Sequence, residues 1–385
     1  MTLTFVKTSA ILILVTLHGI AAQAQTPRKA INIPMEPAHW QYDTAGAEFI
    51  TYQNYKAVHI KQAPPLIPKN VQFSNGTIEF DAAFGYGFPG ITFRISPDGR
   101  NADHFYLRYF GTTSPHSRVT LQYSAMIDSM SLWDLTDEYQ AGAALRIPGW
   151  NHVRLVISGK QMRAYVNDMT RPALIVPALE GSSESGRIAF SGGEIYLANL
   201  VITPNAVEDL SPVKGYVSAY NDTRYLRNWQ VSKAFPFPFG QDVAPRFRNQ
   251  VSPHYPDSTT TWTPSVTEDR GILNLTRALG ATDFRNRRLA WAKTVIESDS
   301  TQDRLLHMGF SDEMWLFVNG ELVHVDKNHF GTPGQKFPQG RCTIENTVVK
   351  LPLKKGKNEI LVGLSNYFYG WGLIARLDAT DGLRL

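Results

Sequence analysis

Cysteine is almost absent from this sequence of 385 residues, which contains one, Cys342. A single thiol excludes an intramolecular disulfide, so the fold must be held by its packed core, in which we expect Cys342 to be a small strand residue. Strong charge imbalance is also missing, because 38 Lys and Arg face 34 Asp and Glu, for a net charge of +4 without a basic run. Nucleic acid is therefore not an expected partner.

Several catalytic signatures are missing as well. The sequence has no Gly-x-Ser-x-Gly elbow, no His-Glu-x-x-His pair and no phosphate-binding loop. These absences exclude the hydrolases, metalloproteases and nucleotide-binding enzymes that are recognised by such motifs. Any site must therefore be argued from the faces of predicted strands.

The amino end carries the one long apolar run, over residues 10–20, preceded by Lys7 and followed by Ala22-Gln23-Ala24. This arrangement predicts a secretory signal peptide over residues 1–24, because the run is too short to cross a bilayer and small residues mark the cleavage site. We therefore expect a secreted or periplasmic chain without a membrane span.

Turn signals separate short apolar runs in the carboxyl-terminal half. Asn319-Gly320 predicts a two-residue hairpin, because both of its positions need positive φ. A second hairpin is predicted from residues 348–353 through the polar turn 354–358 into residues 359–364. Strands that are apolar on both faces indicate two packed sheets.

The amino-terminal half, over residues 51–203, has the closely spaced short strands of an all-β sandwich. The segment 203–212, flanked by prolines, predicts a domain boundary. The expected fold class is all-β, with two antiparallel β-sandwich (jelly-roll) domains in tandem over residues 25–208 and 209–385. The clearest strands are Thr77–Phe84, Gly90–Ile95, His104–Tyr109, Val119–Tyr123, His152–Ile157 and Met162–Asn167.

Both halves resemble known families. The Asn-Gly turn, the Leu-Lys-Lys-Gly-Lys-Asn turn (353–358) and a late Trp-Gly resemble the galactose-binding-like jelly rolls over residues 216–385. Residues 35–203 resemble a concanavalin A-like lectin/glucanase sandwich of the laminin-G type. The motifs Phe-Pro-Gly-Ile-Thr-Phe-Arg (88–94) and His-Phe-Tyr-Leu-Arg (104–108) are similar to exported bacterial domains near the 3-keto-disaccharide hydrolases. The resemblance implies fold first and ligand second, since such folds host many functions.

Strand alternation predicts a polar face in the first domain, because successive side chains point to opposite sides. Ile78 and Phe80 lie on the apolar side of their strand, which leaves Glu79 and Asp81 on the other. The same rule assigns Arg94, His104, Tyr106, Arg108, Gln122, His152, Arg154, Arg163, Tyr165 and Asn167 to polar faces. If these strands share one sheet, the face has the composition of a sugar-binding surface; the alternative is a solvated face with ion pairs.

Glu79 and Asp81 are the catalytic candidates if the protein is an enzyme. Two residues apart on one strand, their Cα atoms lie about 6.5 Å apart, so the carboxyls can reach the separation that glycoside hydrolysis needs. The related laminarinase-type glucanases carry a Glu-x-Asp-x-x-Glu strand, whereas here Phe84 stands in place of the second glutamate. The usual acid/base of that mechanism is therefore missing.

Two loops supply further candidates. Asp98, Asn101 and Asp103 offer oxygen ligands for a structural calcium ion, although ordinary Asp-Gly turn chemistry also accounts for them. Tyr367 and Tyr369 lie in an aromatic loop that forms either a stacking platform for a sugar or the buried end of the barrel.

These patterns predict a secreted protein that binds carbohydrate on the polar face of the first sandwich. The alternatives are a glycoside hydrolase of the 3-keto-disaccharide hydrolase kind at the same face, and a structural module of the cell surface. The sequence specifies neither the glycan nor the oligomeric state.

Overall fold

The computed structural model describes residues 29–61, 65–110, 114–244, 251–284 and 286–385, and the predicted signal peptide over residues 1–24 lies outside them. The described chain consists of β-strands and turns, with one short α-helix and two 3₁₀ turns, Pro37–His39 and Ser218–Asn221. The all-β prediction is therefore confirmed. Within these ranges, none of the helices has the length and apolar composition needed to cross a bilayer.

The first sandwich comprises strands β1 to β16. They are β1 (Ile31–Ile33), β2 (Trp40–Gln41), β3 (Ala47–Tyr52), β4 (Tyr55–Ile60), β5 (Ile67–Pro68), β6 (Gly76–Phe84), β7 (Gly90–Ile95), β8 (Ala102–Leu107), β9 (Leu121–Ile127), β10 (Met130–Ser131), β11 (Gln140–Ala141), β12 (Trp150–Ser158), β13 (Gln161–Val166), β14 (Leu174–Val176), β15 (Arg187–Ser191) and β16 (Ile195–Pro204). An eight-stranded sheet runs β14-β13-β12-β6-β16-β4-β3, with β1 also paired to β16. A six-stranded sheet runs β10-β9-β8-β7-β15, with β11 paired to β9, and β2 pairs with β5.

The two sheets of the first sandwich close on one apolar core. Alternation along β6 turns Ile78 and Phe80 inward, where they belong to the same buried cluster as Phe93 and Phe105 of the facing sheet. Phe80 also meets Phe190 edge to face, with ring centroids 5.1 Å apart. Each such side chain contributes about 1.5–3 kcal/mol on burial, so this core fixes which face of every strand points outward.

The second sandwich comprises the remaining elements. They are β17 (Asn228–Ser232), β18 (Phe235–Pro236), β19 (Trp262–Val266), β20 (Ile272–Asn274), α1 (Leu275–Leu279), β21 (Arg288–Ser298), β22 (Gln302–Ser311), β23 (Glu313–Val318), β24 (Glu321–Lys327), β25 (Thr347–Leu353), β26 (Gly356–Asn366), β27 (Gly372–Leu377) and β28 (Leu383–Arg384). An eight-stranded sheet runs β19-β17-β21-β26-β23-β24, with β18 and β28 paired to β21. A four-stranded sheet, β20-β27-β22-β25, faces it across a second core.

One predicted hairpin is confirmed and the other is wrong. Asn319 and Gly320 have φ of 52° and 85° and join β23 to its neighbour β24. By contrast, β25 pairs with β22, and β26 pairs with β21 and β23, so the chain crosses from one sheet to the other near Lys354. The buried Asn358 side chain holds this crossing, because it accepts from the Lys354 backbone N–H at 2.9 Å and donates to the Lys354 carbonyl at 2.8 Å.

A third apolar cluster joins the two sandwiches. It combines residues of the first sandwich, among them Ile127 and Leu135, with Ile272, Cys342 and Ile374 of the second. Cys342 is buried as expected, but it lies in the loop between β24 and β25 and not in a strand, so that part of the prediction is wrong. The second sandwich therefore covers part of the outward face of the six-stranded sheet.

An ion pair reinforces this contact. Arg270 donates to both carboxylate oxygens of Glu180, at 2.5 and 3.1 Å, and to the Leu135 carbonyl at 2.6 Å. Both charged side chains are largely buried. Because the pair is desolvated and bidentate, it fixes the relative orientation of the two sandwiches.

Candidate binding cleft between the sandwiches

A cleft of about 340 Å³ opens where the outward face of the six-stranded sheet meets two loops of the second sandwich. We refer to this space as the cleft. Its lining consists of Phe88, His104, Tyr106, Arg108, Phe110, Ser131, Trp133, Phe330, Gln339, Arg341, Phe368 and Tyr369. Both sandwiches contribute, so the cleft exists only because they pack together.

The floor of the cleft is a polar network on β8 and β9. Tyr106 lies opposite Gln122 in the strand pairing, and its hydroxyl donates to Gln122 Oε1 at 2.9 Å. Arg108, which directly follows the last residue of β8, donates through Nη2 to the Tyr106 hydroxyl and to Gln122 Oε1, both at 2.7 Å. Strand alternation places all three side chains on the outward face, as the sequence predicts.

Arg341 reaches the same network from the second sandwich. Its Nη2 donates to Gln122 Oε1 at 3.1 Å. The loop that carries it is anchored by two buried amides, because Asn328 and Asn346 donate to the Arg341 carbonyl at 3.1 and 3.0 Å. The guanidinium is therefore positioned by a loop with a fixed backbone.

Aromatic rings form the walls. Trp133 meets the rings of Phe330 and Tyr369 edge to face, with centroids 5.0 and 5.7 Å apart. The Arg341 guanidinium carbon lies 4.7 Å from the Trp133 ring centroid, within the range of a cation–π contact. At the rim, Phe88 and Phe330 remain 45% and 40% exposed. Exposed rings around a polar floor are typical of a ligand-binding surface.

Two buried carboxyl groups hold the loop that presents Phe368 and Tyr369. Asp312 Oδ2 accepts from the backbone N–H groups of Tyr367 and Phe368 at 2.9 and 3.0 Å. Asp134 Oδ1, from the first sandwich, accepts from the Gly370 N–H at 2.9 Å. Burial raises the pKa of Asp312 to about 8 and that of Asp134 to about 7. The aromatic wall therefore depends on two carboxyl groups that titrate near neutral pH.

His104 lies beside the floor and is uncharged at neutral pH. Burial lowers its pKa to about 4, and its ring stacks on that of Tyr106 with centroids 4.9 Å apart. Neither ring nitrogen has a hydrogen-bond partner among the described residues. Gly90 on the adjacent strand makes room for it, since a Cβ there would lie 2.6 Å from His104 Nε2.

The structure brings five predicted site residues together and separates the rest. His104, Tyr106, Arg108 and Tyr369 line the cleft, and Gln122 lies in its floor network. The premise of one shared polar sheet is wrong, because Glu79, Asp81, Arg154 and Tyr165 lie on β6, β12 and β13 of the eight-stranded sheet. The two sets therefore lie on opposite outward faces of the first sandwich. The prediction failed because alternation shows which side of a strand is polar but not which strands are neighbours.

Glu79 and Asp81 are held by His152 on the outward face of the eight-stranded sheet. His152 Nδ1 lies 2.7 Å from Asp81 Oδ1, and its Nε2 lies 3.8 Å from Glu79 Oε1. The hydrogen bond that His152 makes to Asp81, and then the nearby Glu79 carboxylate, raise the pKa of His152 to about 9, and His152 in turn lowers the pKa of Glu79. An ionised Glu79 beside an imidazolium does not provide the protonated acid that glycoside hydrolysis needs.

Arg154 and Tyr165 also have structural partners on this sheet. The Arg154 guanidinium lies 4.2 Å from the Tyr165 ring centroid and 3.3 Å from Glu208. Tyr165 packs with Val156 and with Leu210 of the connecting segment. That segment is therefore packed on the first sandwich.

Arg94 and the three proposed calcium ligands do not converge on one point. Arg94 is buried, donates to the Ser74 carbonyl at 2.8 Å and lies 3.7 Å from Asp103.

The three calcium candidates have separate partners. Asp103 is buried and accepts from the Tyr123 hydroxyl at 2.6 Å. Asp98 is exposed and accepts from Ser96 and the Arg100 N–H within its own turn. Asn101 Oδ1 instead accepts from the Asp128 N–H at 3.4 Å. No group of three His, Cys, Asp or Glu that could hold a metal occurs in the part of the chain that the structure describes.

Tyr367 points away from the cleft, whereas its loop neighbours line it. Its ring meets those of Phe239 and His329, with centroids 5.4 and 4.9 Å apart. The loop therefore divides its aromatic residues between two sides.

The sequence does not predict Trp133, Phe330, Gln339 and Arg341 as lining residues, and all four lie in loops. Strand alternation does not apply to loops, and Arg341 is 219 positions from Gln122. The aromatic loop around Tyr369 was the available signal. This loop indicates one aromatic wall of the cleft, but it does not indicate which sheet face that wall adjoins.

A larger groove of about 510 Å³ on the other side of the contact is a weaker candidate. Four of its charged side chains are paired with one another, Lys214 with Asp269 and Arg277 with Glu268, both at 2.8 Å, and Glu180 is paired with Arg270. It therefore offers fewer unpartnered charges to a ligand than the cleft does.

No protein-family model and no curated protein matches the chain. Solved structures similar to part of it include the carbohydrate binding module CBM66 from Bacillus subtilis, at 12% identity, covering 43% of this chain and 92% of that chain, with a TM-score of 0.30. A Bacillus subtilis protein with a galectin-like fold has 11% identity, covers 48% and 99%, and scores 0.36. A native glycosidic hydrolase has 10% identity, covers 47% and 96%, and scores 0.31. Similarity at this level identifies neither a ligand nor a reaction.

Proposed function

We propose that this protein is a carbohydrate-binding protein and that its binding site is the cleft between the two sandwiches. Export, which the sequence of residues 1–24 predicts, is part of the proposal. The observation that carries it is the combination of a hydrogen-bonding floor with exposed aromatic walls in one cleft.

The chemistry of a sugar ring matches this combination. One face of a pyranose presents C–H groups, which pack on aromatic rings such as Trp133 and Tyr369. The hydroxyls around the ring need donors and acceptors, which His104 and the two arginines supply. A volume of about 340 Å³ lies at the lower end of the range of about 300–1,000 Å³ for small-ligand sites. That size suits a mono- or disaccharide unit.

Binding is favoured over hydrolysis because of what the lining contains. None of the described residues that line the cleft is Asp or Glu. Two-carboxylate catalysis therefore has no acid and no nucleophile there. Glu79 and Asp81 lie on a different face and are engaged by His152.

A glycan array on the mature protein, followed by titration calorimetry of the hits, tests the proposal. Tyr369→Ala removes one wall, and we expect affinity to fall by about 1–3 kcal/mol, the scale of an aromatic anchor. The control is Tyr216→Ala, which truncates a tyrosine that is 76% exposed outside the cleft lining. Equal loss in both variants, or unchanged binding by Tyr369→Ala, would overturn the cleft as the site.

A further inference from the structure

We infer that the cleft selects sugars that carry an anionic group, a carboxylate or a sulfate ester, bound between Arg108 and Arg341. This inference rests on the proposed function and names the class of sugar. It starts from two like charges that meet at one neutral atom. Both guanidinium groups donate to Gln122 Oε1, at 2.7 and 3.1 Å.

Both arginines are desolvated. Arg108 is 7% exposed and Arg341 is 2% exposed, so neither charge is compensated by bulk water. A buried charge is stabilised only when an opposite charge or several hydrogen bonds replace its hydration. Burial, and then the nearby charge of Arg108, lowers the pKa of Arg341 to about 10, so the Arg341 guanidinium remains cationic at neutral pH.

The protein itself provides little negative charge to this pair. Asp137 Oδ1 lies 3.7 Å from Arg341 Nε, beyond hydrogen-bond distance. That carboxylate already accepts from Arg118 at 3.0 Å and from Gln140 at 2.8 Å. Arg341 Nε itself has no hydrogen-bond partner within the described ranges.

Two other buried arginines of this chain have closer carboxylate partners. Arg270 makes a bidentate pair with Glu180, and Arg287 pairs with Glu313. The fold therefore does place carboxylates beside buried guanidinium groups outside the cleft. Within the described ranges, Arg108 donates to neutral groups and the Asp137 carboxylate stays 3.7 Å from Arg341, and both guanidinium groups line a cleft that a ligand can enter.

An acidic sugar satisfies every part of this arrangement. A carboxylate or sulfate accepts parallel hydrogen bonds from guanidinium donors, a geometry that arginine favours over lysine. The rest of the sugar ring then packs against Trp133 and Tyr369. A neutral sugar would pack on the same walls but would give neither guanidinium a hydrogen-bonded anion, so it should bind more weakly.

Calorimetry with matched ligands tests the inference. The probes are oligomers of galacturonate, glucuronate and mannuronate, each with its neutral methyl ester, and sulfated galactan oligosaccharides. We expect at least one acidic oligomer to bind about 10-fold or more tightly than its neutral counterpart, with an advantage that shrinks as salt rises. The uronate and sulfate arms distinguish the two sources of the anion.

Arg341→Met removes the charge and keeps most of the side-chain length. We expect it to reduce the affinity for the acidic oligomer about 10- to 100-fold and to change that for the ester less than about twofold. Arg171→Met, on the exposed surface of the first sandwich, is the matched control. If Arg341→Met does not fold, Arg108→Met and the salt dependence of the wild-type protein report on the same pair.

The outcomes separate this inference from the proposed function. Failure of every sugar, acidic or neutral, to bind overturns the proposed function. Equal affinity for an acidic oligomer and its ester, or an acid preference that persists in Arg341→Met, overturns the inference and leaves sugar binding in place.

Discussion

The carboxylate of Asp134 in the first sandwich accepts a hydrogen bond of 3.1 Å from the hydroxyl of Ser311 in the second, and both residues are buried. The same hydroxyl lies 3.1 Å from Asp312 Oδ1. A serine hydroxyl has one proton and can donate to only one of the two carboxyls. A proton on the second carboxyl lets that group donate to the serine oxygen, which agrees with the raised pKa of both carboxyl groups.

This relationship predicts a stability that falls as pH rises. The pKa of Asp134 is raised to about 7 and that of Asp312 to about 8 from a usual value of 3.8. Between pH 4 and pH 8 the native state therefore binds more protons than the unfolded state, so the free energy of unfolding decreases with pH. Asp134→Asn should reduce the difference between pH 5 and pH 8 by about 1–3 kcal/mol, at about 1.4 kcal/mol per unit of pKa.

Urea unfolding at the two pH values measures this effect. The exposed Asp381→Asn serves as the control and should keep the wild-type pH dependence. A wild-type protein whose stability rises from pH 5 to pH 8 to the same extent as Asp134→Asn would contradict the prediction.

Limited proteolysis tests how firmly the sandwiches are joined. A cut between Thr203 and Lys214 should leave the two pieces associated on size-exclusion chromatography, because the apolar contact around Ile127 and Ile374 remains. Arg270→Gln leaves Glu180 buried without its partner, a change that costs about 3–5 kcal/mol. We expect the nicked variant to dissociate at lower urea than nicked wild type or Arg171→Gln. Separation of the nicked wild-type protein in native buffer would mean that the contact is weak.

The faces of strands were predictable from the sequence, but their neighbours were not. Alternation along β6 correctly separates Ile78 and Phe80 from Glu79 and Asp81, because burial is decided locally at each step of two residues. The pairing of β6 with β12 and β16, rather than with β7, depends on contacts distant in sequence. For this reason the residues predicted to share one polar face lie on two faces, on opposite sides of the first core.

The cleft illustrates the same limit. His104, Tyr106 and Arg108 were found because they alternate on one strand. Arg341 was missed because its position is set by the amides of Asn328 and Asn346 in a loop without periodicity. The part of the site built by a strand is readable from the sequence, and the part built by packing two sandwiches is not.

The face that carries Glu79 and Asp81 should be dispensable for binding in the cleft. The combined variant Glu79→Gln and Asp81→Asn removes both partners of His152 and should change sugar affinity less than about twofold. Because the folded pKa of His152 is raised to about 9, its pairing stabilises the protein below pH 6.5 and this contribution is lost as pH rises through about 9. The variant should therefore lose stability at pH 6 but not at pH 10.

Thermal unfolding at both pH values and calorimetry in the cleft check this pair of expectations. Glu194→Gln is the control, since it disturbs a similar contact of 3.1 Å with His59 on the same sheet. A large loss of sugar affinity in the double variant would assign binding to this face instead.

Gly90 and His104 should be energetically coupled across the edge of the cleft. A Cβ atom at position 90 would lie 2.6 Å from His104 Nε2 and 2.9 Å from Tyr106 Cβ. Gly90→Ala therefore has to push the imidazole away from β7 and into the cleft. We expect it to destabilise the protein by about 1–3 kcal/mol, the usual cost of overpacking, and to weaken sugar binding.

A double-mutant cycle with His104→Ala isolates the contact. Removal of the imidazole relieves the closest clash, so the double variant should be less destabilised than the sum of the two single variants, by about 0.5 kcal/mol or more. The remaining approach to Tyr106 Cβ keeps the relief incomplete. Strictly additive losses in chemical unfolding would show that the imidazole does not lie against residue 90. A sugar affinity unchanged in Gly90→Ala would show that His104 does not contribute to binding in the cleft.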